Sequence, residues 1–187
     1  MGTLSPDQIA QLGLASVGTN VTISDRCSIY GAGSISLGDH VRIDDFAILT
    51  AREPVVIGSY VHISAFAFLS GPFGILIEDF VNVSPRATLL SGNDDSSGQW
   101  LPGALIPEDL RHLQGARIHL RRHSMVGAHS VVLPGVSFGE GAVAGALSLV
   151  KEPLAPWGIY GGVPARLIRS RDRGVEGLAA QLTGRAS

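Results

Sequence analysis

Between Val17 and Leu89 the aliphatic residues keep a strict count. They fall at Val17, Ile23 and Ile29, then Leu37, Ile43 and Leu49, then Ile57, Ile63 and Leu69, then Ile77, Val83 and Leu89. The steps are six, six and eight, so the register returns every twenty residues. An amphipathic helix needs an apolar residue every three or four positions, and a half-buried strand every second one. Period six fits neither. It fits a chain wound into a triangular coil, in which each six-residue unit supplies one short side and one corner.

The residues around each aliphatic agree with that geometry. Four positions later comes a small or β-branched residue: Val21, Cys27, Val41, Ala47, Val61, Ala67, Val81 and Ala87. One position later comes Gly or a small or polar residue, as at Gly18, Ser24, Gly38, Asp44, Gly58, Ser64 and Ser84. Large and small side chains together fill a narrow prism at native packing density. The fold predicted is all-β: a left-handed parallel β-helix over residues 17–150. Composition bears this out: glycine is 24 of 187 residues and charged residues are 16%, against about 7% and 25% in ordinary domains.

Flanking segments are read in the same way. Ser5-Pro6-Asp7-Gln8 carries a capping box with Pro in the first turn, so residues 1–16 are expected to form a short helical cap on the open end. From Ser91 to about Gly115 period six vanishes and a polar, Gly-rich loop is inserted. A long loop in so regular a scaffold points to function. The count resumes in strict sixes at Leu120, Val126, Val132, Phe138, Ala144 and Val150. Residues 151–187 read as an irregular closing segment, then a weak helix or frayed tail from Arg169. Along the outside, Arg26, Phe46, Phe66 and Arg86 form one column, and stacked Phe there suggests a subunit contact. Thr22, Arg42, His62 and Asn82 form another column.

Several function classes recede. The net charge of -2 gives no basis for nucleic-acid binding. No apolar run is long enough to span a membrane and no signal peptide opens the chain, so no membrane association and a cytoplasmic location are expected. A single cysteine, Cys27, excludes an intramolecular disulfide and sits in a small inward slot.

The coils, the mid-chain loop and the ending Gly161-Gly162-Val163-Pro164-Ala165-Arg166 resemble the hexapeptide-repeat acyltransferases that use acetyl-CoA. Ile43-Asp44-Asp45-Phe46, Ile57-Gly58-Ser59-Tyr60-Val61-His62-Ile63-Ser64, Asn93-Asp94-Asp95-Ser96-Ser97-Gly98 and Gly145-Ala146-Leu147-Ser148-Leu149-Val150 are similar to the N-acetyltransferases of nucleotide-linked 4-amino-4,6-dideoxyglucose. That resemblance implies acetyl-CoA as co-substrate, a nucleotide-linked amino sugar as acceptor, and a homotrimer with active sites between subunits. It places Ala128 and Ala146 beside the thioester and pantetheine, and Lys151 and Arg166 beside the cofactor's phosphates. His62, Ser64 and Asn82 fall to the sugar site, joined by Asn93 and Asp95 of the loop. His119, His123 and His129 flank the resumed coils and are expected near the thioester.

One departure from the O-acetylating relatives decides the chemistry expected. Their catalytic His in the mid-chain loop is replaced here by Asp94. A sugar hydroxyl needs a good base to attack a thioester, and a carboxylate with an ordinary pKa of about 3.9 is a poor one. A neutral sugar amine already carries a nucleophilic lone pair and needs mainly positioning, which Asp94 can supply. Asp94 is therefore the catalytic candidate, and N-acetylation is favoured over O-acetylation. Two other classes compete. A zinc enzyme of the gamma-type carbonic anhydrase kind needs three converging imidazoles, whereas His123 and His129 are six apart and face different directions; no metal is expected. A non-enzymatic β-helix would leave the acidic loop and the Pro-Ala-Arg ending without a purpose.

Overall fold

The structure is a computed structural model that describes residues 2–184. Three parallel sheets form the faces of a left-handed triangular β-helix. The first face runs from Ser16–Val17 through Ile35–Leu37, Val55–Ile57, Ile75–Ile77 and Ile118–Leu120 to Ser137–Phe138. The second starts at Thr22–Ile23 and includes His62–Ile63, Asn82–Val83, Met125–Val126 and Val143–Ala144. The third starts at Ser28–Tyr30, includes Thr88–Leu90 and ends at Leu149–Val150. Register follows the aliphatic count: Ile23 pairs with Ile43, Ile43 with Ile63, and Ile63 with Val83. All four are fully buried, as are Leu49, Leu69, Leu89 and Val132 on the third face. Val17 keeps the count but is 40% exposed, because it lies on the end coil with no coil beneath it.

A helix, α1 (Pro6–Gln11), partly closes that end. Ser5 caps it with both halves of the capping box made, and Ile9 packs into the core cluster. The inward Cys27 thiol is pushed up to about 12 by burial, consistent with a packing role. The closing segment is more regular than its sequence suggests. Gly158–Gly161 adds to the second face beside Val143–Ala144, so coil pairing continues past Val150. Arg166–Ser170 then returns antiparallel to it, and a second helix, α2 (Gly174–Gly184), follows.

Two of the three corners share an unusual backbone. At the first corner Asn20, His40, Tyr60, Phe80, His123 and Trp157 all have φ between 56° and 61°. At the second, Phe46, Phe66, Arg86, His129 and Leu147 have φ between 58° and 61°. A left-handed conformation costs a non-glycine residue about 1–2 kcal/mol. Stacking with the coil above offsets it, since aromatic pairs contribute about 0.5–1.5 kcal/mol beyond their buried area.

Candidate active site

The mid-chain loop is anchored before it becomes functional. Ser91 is fully buried and its amide donates to the Ser70 carbonyl. Gly92–Asp94 then pairs antiparallel with Leu113–Gly115. The hairpin base lies so close to Phe73 that a Cβ at Gly115 would stand 2.2 Å from the Ser91 carbonyl oxygen and 2.5 Å from the Phe73 ring. Only glycine fits there. Asp94 ends this hairpin strand with both carboxylate oxygens engaged. Oδ1 accepts from Arg111 Nε at 2.9 Å, and Oδ2 accepts from the Gly103 amide at 3.0 Å. Asp94, Asn93 and Arg111 line an open cavity of about 570 Å³ together with Tyr30, Arg52 and Ser70. Arg111 was not anticipated from the sequence, although it is the single cation between positions 91 and 115.

Asp95 faces a different task. It accepts from the Ser97 amide at 2.8 Å and from Gln114 Nε2 at 3.1 Å. Hydrogen bonds from the Ser97 hydroxyl and amide hold its carboxyl below the ordinary range. Its visible role is to fold the loop.

The sugar-site candidates of the second face form a separate group. His62 Nε2 lies 2.7 Å from Asp44 Oδ2, and Arg42 Nε donates to Asp44 Oδ1 at 2.7 Å. Burial pushes the Asp44 carboxyl up, but the Arg42 and His62 contacts outweigh it and leave it lowered. Asn82 is in register with His62, and its Nδ2 donates to Ser84 Oγ at 3.0 Å. Ser64 and Ser84 are buried at the start of the second corner on successive coils. The sequence reading took Ser84 for a corner filler; its outward partner Asn82 was the available signal. Asp94 lies beyond the other end of Thr88–Leu90 from Ser84. The cavity at Asp94 therefore contains none of His62, Ser64, Asn82 or Ser84.

Ala128 and Ala146 stand on successive coils of that same second corner. The Leu147 amide donates to the Ala128 carbonyl at 2.9 Å, and Ser130 Oγ and Ser148 Oγ both donate to the Gly145 carbonyl. These bonds fix the backbone of the corner, where Ala128 and Ala146 alternate with the exposed His129 and Leu147. Lys151 is exposed at its C-terminal end. Arg166 is exposed too, with only its neighbour's carbonyl for a hydrogen bond and no ion pair among the described residues.

The three C-terminal histidines do not converge. His119 lies on the first face, 2.7 Å from Glu78 Oε1. His123 is stacked at the first corner against Phe80. His129 alone stands at the second corner, beside Ala128. Period six explains the dispersal, since side and corner alternate along the chain. Among the described residues no group of three or more His, Cys, Asp or Glu is placed to hold a metal ion, and no helix is long and apolar enough to cross a membrane.

A left-handed β-helix with an acidic loop inserted mid-chain is the architecture of a hexapeptide-repeat acyltransferase. No protein-family model matches the chain, but individual relatives do. The dTDP-4-amino-4,6-dideoxy-D-glucose acyltransferase of Escherichia coli is 36% identical over 92% of this chain and 91% of its own. AntD, an N-acyltransferase from Bacillus cereus solved with dTDP and 3-hydroxybutyryl-CoA, superimposes with a TM-score of 0.94 at 42% identity, covering all of both chains. AntD is also known as the S84C variant, with dTDP-4-amino-4,6-dideoxyglucose and coenzyme A, and as the D94N variant, with dTDP and coenzyme A. The chain belongs to this family of nucleotide-sugar N-acyltransferases.

Proposed function

We propose that this acyltransferase moves the acetyl group of acetyl-CoA to the 4-amino group of dTDP-4-amino-4,6-dideoxyglucose. One observation carries the reading: the chain matches AntD from end to end, and its Ser84 and Asp94 share residue type and number with the positions varied in that protein. The neutral amine attacks the thioester carbon. A C–N bond forms, the C–S bond breaks, and the proton shed by the amine leaves with the departing thiolate. Asp94, preset by Arg111 and Gly103, holds and orients the amine by charge and hydrogen bond. Ser84 accepts from Asn82, which leaves its own O–H to donate to the thioester oxygen as charge develops there. His62 and Ser64 support the sugar side of the same corner. Ala128 and Ala146 border the pantetheine, and Lys151 and Arg166 meet the phosphates of coenzyme A.

Asp94 and Ser84 sit at different corners of one chain, so each site takes Asp94 from one copy and the second corner from its neighbour. A homotrimer acting in the cytoplasm satisfies that requirement. The test is a panel of acceptors with acetyl-CoA, read by mass. The 4-amino sugar nucleotide should gain one acetyl group and its 4-hydroxy counterpart none. Equal acetylation of both would overturn the reading. 3-Hydroxybutyryl-CoA as a second donor fixes the acyl group.

A further inference from the structure

The carboxylate assigned to the substrate amine is not a lone charge. Arg111 Nε donates to Asp94 Oδ1 at 2.9 Å and the Gly103 amide to Oδ2 at 3.0 Å. The Arg111 and Asp94 side chains are only 21% and 32% exposed. The other charged group lining their cavity is a second cation, Arg52. We propose that Arg111 is a positioning residue that acts through Asp94: by balancing the carboxylate's charge it makes the site hold the substrate amine as the free base, the form that can attack. The proposal rests on the function inferred above and deepens it, since that function leaves open how the bound amine comes to be neutral.

Charge and geometry carry it together. An ammonium has no lone pair to offer the thioester carbon. A lone carboxylate in a partly dry site would favour that inactive form, because an opposite charge within about 4–6 Å shifts a titration by roughly 1–3 units. The guanidinium on Asp94 cancels that attraction. It does so without using the carboxylate up. A carboxylate offers about four lone-pair positions; Arg111 and Gly103 take two, and an amine N–H can still be accepted. The surroundings do not restore negative charge. Tyr30, Thr50, Ser70 and Asn93 line the cavity as neutral groups. Asp95 is turned to Ser97 and Gln114, and His112 lies against Trp100. Glu108 is exposed and borders a separate cavity of about 170 Å³ with Arg52 and Arg111. Glu53 and Asp109 are exposed and line neither cavity. On the second corner, Arg86 and His129 flank Ser84, and Asp45 lies two coils away, engaged by Ser24 and by Arg26 at 4.0 Å. Partial burial works in the same direction, since it penalises the charged amine.

Two pH profiles test this, read with acetyl-CoA and the 4-amino sugar nucleotide on the intact assembly. The rising limb of kcat/KM follows the free species and that of kcat the bound complex. In the wild type the kcat limb should lie below the kcat/KM limb. Arg111→Gln keeps a donor and removes the charge. It should move the kcat limb up by about one pH unit or more, leave the kcat/KM limb in place, and lose less turnover as pH rises. Arg111→Lys restores the charge and should return the kcat limb to its wild-type position. A variant that merely misplaces Asp94 would lose turnover equally at every pH with both limbs unmoved, and that result would overturn the proposal. A second measurement needs no variant. Calorimetry of the amino sugar nucleotide binding to wild type with coenzyme A, in buffers of different ionisation enthalpy, should show proton release at pH values below the free amine's titration. Binding without release would also overturn the proposal, whether or not Arg111→Gln folds. A wild type that acetylates the amine yet gives either adverse result sinks this inference alone. A wild type that acetylates neither amine nor hydroxyl brings down the function beneath it.

Discussion

The two left-handed corners are built alike and used differently. At the first, His40 stacks on Tyr60 at 4.5 Å, Tyr60 on Phe80 at 4.9 Å and Phe80 on His123 at 5.2 Å, and Trp157 lies tilted against His123 at 6.3 Å. Gly141 falls between the last two coils, where a side chain would collide with the Trp157 ring at 2.4 Å. Helix α2 crosses the C-terminal end of this column: Val175, Ala179 and Leu182 border one cavity with Phe80 and His123. Arg171 pins the connection, donating from Nη1 to the His123 carbonyl at 2.7 Å and the Gly141 carbonyl at 3.0 Å. The second corner has the same backbone angles but a single stacked ring pair, Phe46 on Phe66, left half exposed; at the first, α2 covers the C-terminal rings while His40 stays exposed. Local strain and aromatic stacking are therefore scaffold properties. Coverage by the chain itself is what separates them: the covered corner serves stability, and the open one is the corner assigned to ligands under the proposed function.

The sharpest break of that contrast is to truncate one ring at each corner. Trp157 is only 7% exposed and Phe46 is 45% exposed. Trp157→Ala should cost about 3–5 kcal/mol of folding stability, and Phe46→Ala should stay within about 1 kcal/mol, read from urea unfolding. Equal losses would show that both corners are structural.

Asp94→Asn sharpens the same contrast from the activity side. It keeps the side-chain shape and removes the charge. Loss of a charge-assisted hydrogen bond is worth about 1.5–3 kcal/mol, or roughly tenfold to a hundredfold in kcat/KM. Removing an obligatory base would cost on the order of 10²–10⁴. The size of the defect thus separates positioning from proton abstraction. The rising limb of the pH–rate profile should track the titration of the substrate amine. Trp157→Ala should leave turnover by its folded fraction intact.

Arg171→Ala is expected to cost less than Trp157→Ala, about 1–3 kcal/mol, for the hydrogen bonds lost at the His123 and Gly141 carbonyls. Thermal melting checks it, and unchanged melting would mean that α2 does not depend on this anchor.

How much of this was legible depended on whether period six encoded it. The faces were, because Ile23, Ile43, Ile63 and Val83 each need a buried aliphatic. The second corner's column was, because Phe46 and Phe66 repeat in type. The first corner's was overlooked, although His40, Tyr60 and Phe80 repeat as rings every twenty residues and stack in the structure. Asp94 could be placed by its position in the loop. Its partner Arg111 could not, because Asn93 faces Gln114 through an antiparallel hairpin that the coil count does not describe. The closing strand Arg166–Ser170 was hidden because Leu167 and Ile168 are both exposed, which removes the alternation a half-buried strand shows. Helix α2 was equally faint, because Leu178 and Leu182 stay largely exposed although they border the cavity at the first corner.

The smallest predicted effect is a pH dependence peculiar to the covered corner. His123 is 7% exposed, and burial, seconded by the Arg122 charge, depresses its pKa from the ordinary 6.5; Glu140 and Glu176 oppose the shift, and Arg171 adds to it. A histidine depressed in the folded state binds its proton more readily when unfolded. Its contribution to stability is thus present above about pH 6.5 and is lost as pH falls from there through the folded pKa. Below that value both states are protonated and the loss is complete. Asp44 and Glu78, also lowered, act in the same direction, but only below their unfolded carboxylate values, which separates the two windows. His123→Phe keeps a ring in the stack and removes the titration, and phenylalanine already occupies the left-handed backbone at Phe46, Phe66 and Phe80. Between pH 7 and pH 5 the variant's melting temperature should fall less than that of the wild type, with the curves converging at neutral pH apart from a constant offset. Parallel curves through that range would remove His123 as the source of the pH dependence and leave the covered corner electrostatically indistinguishable from the open one.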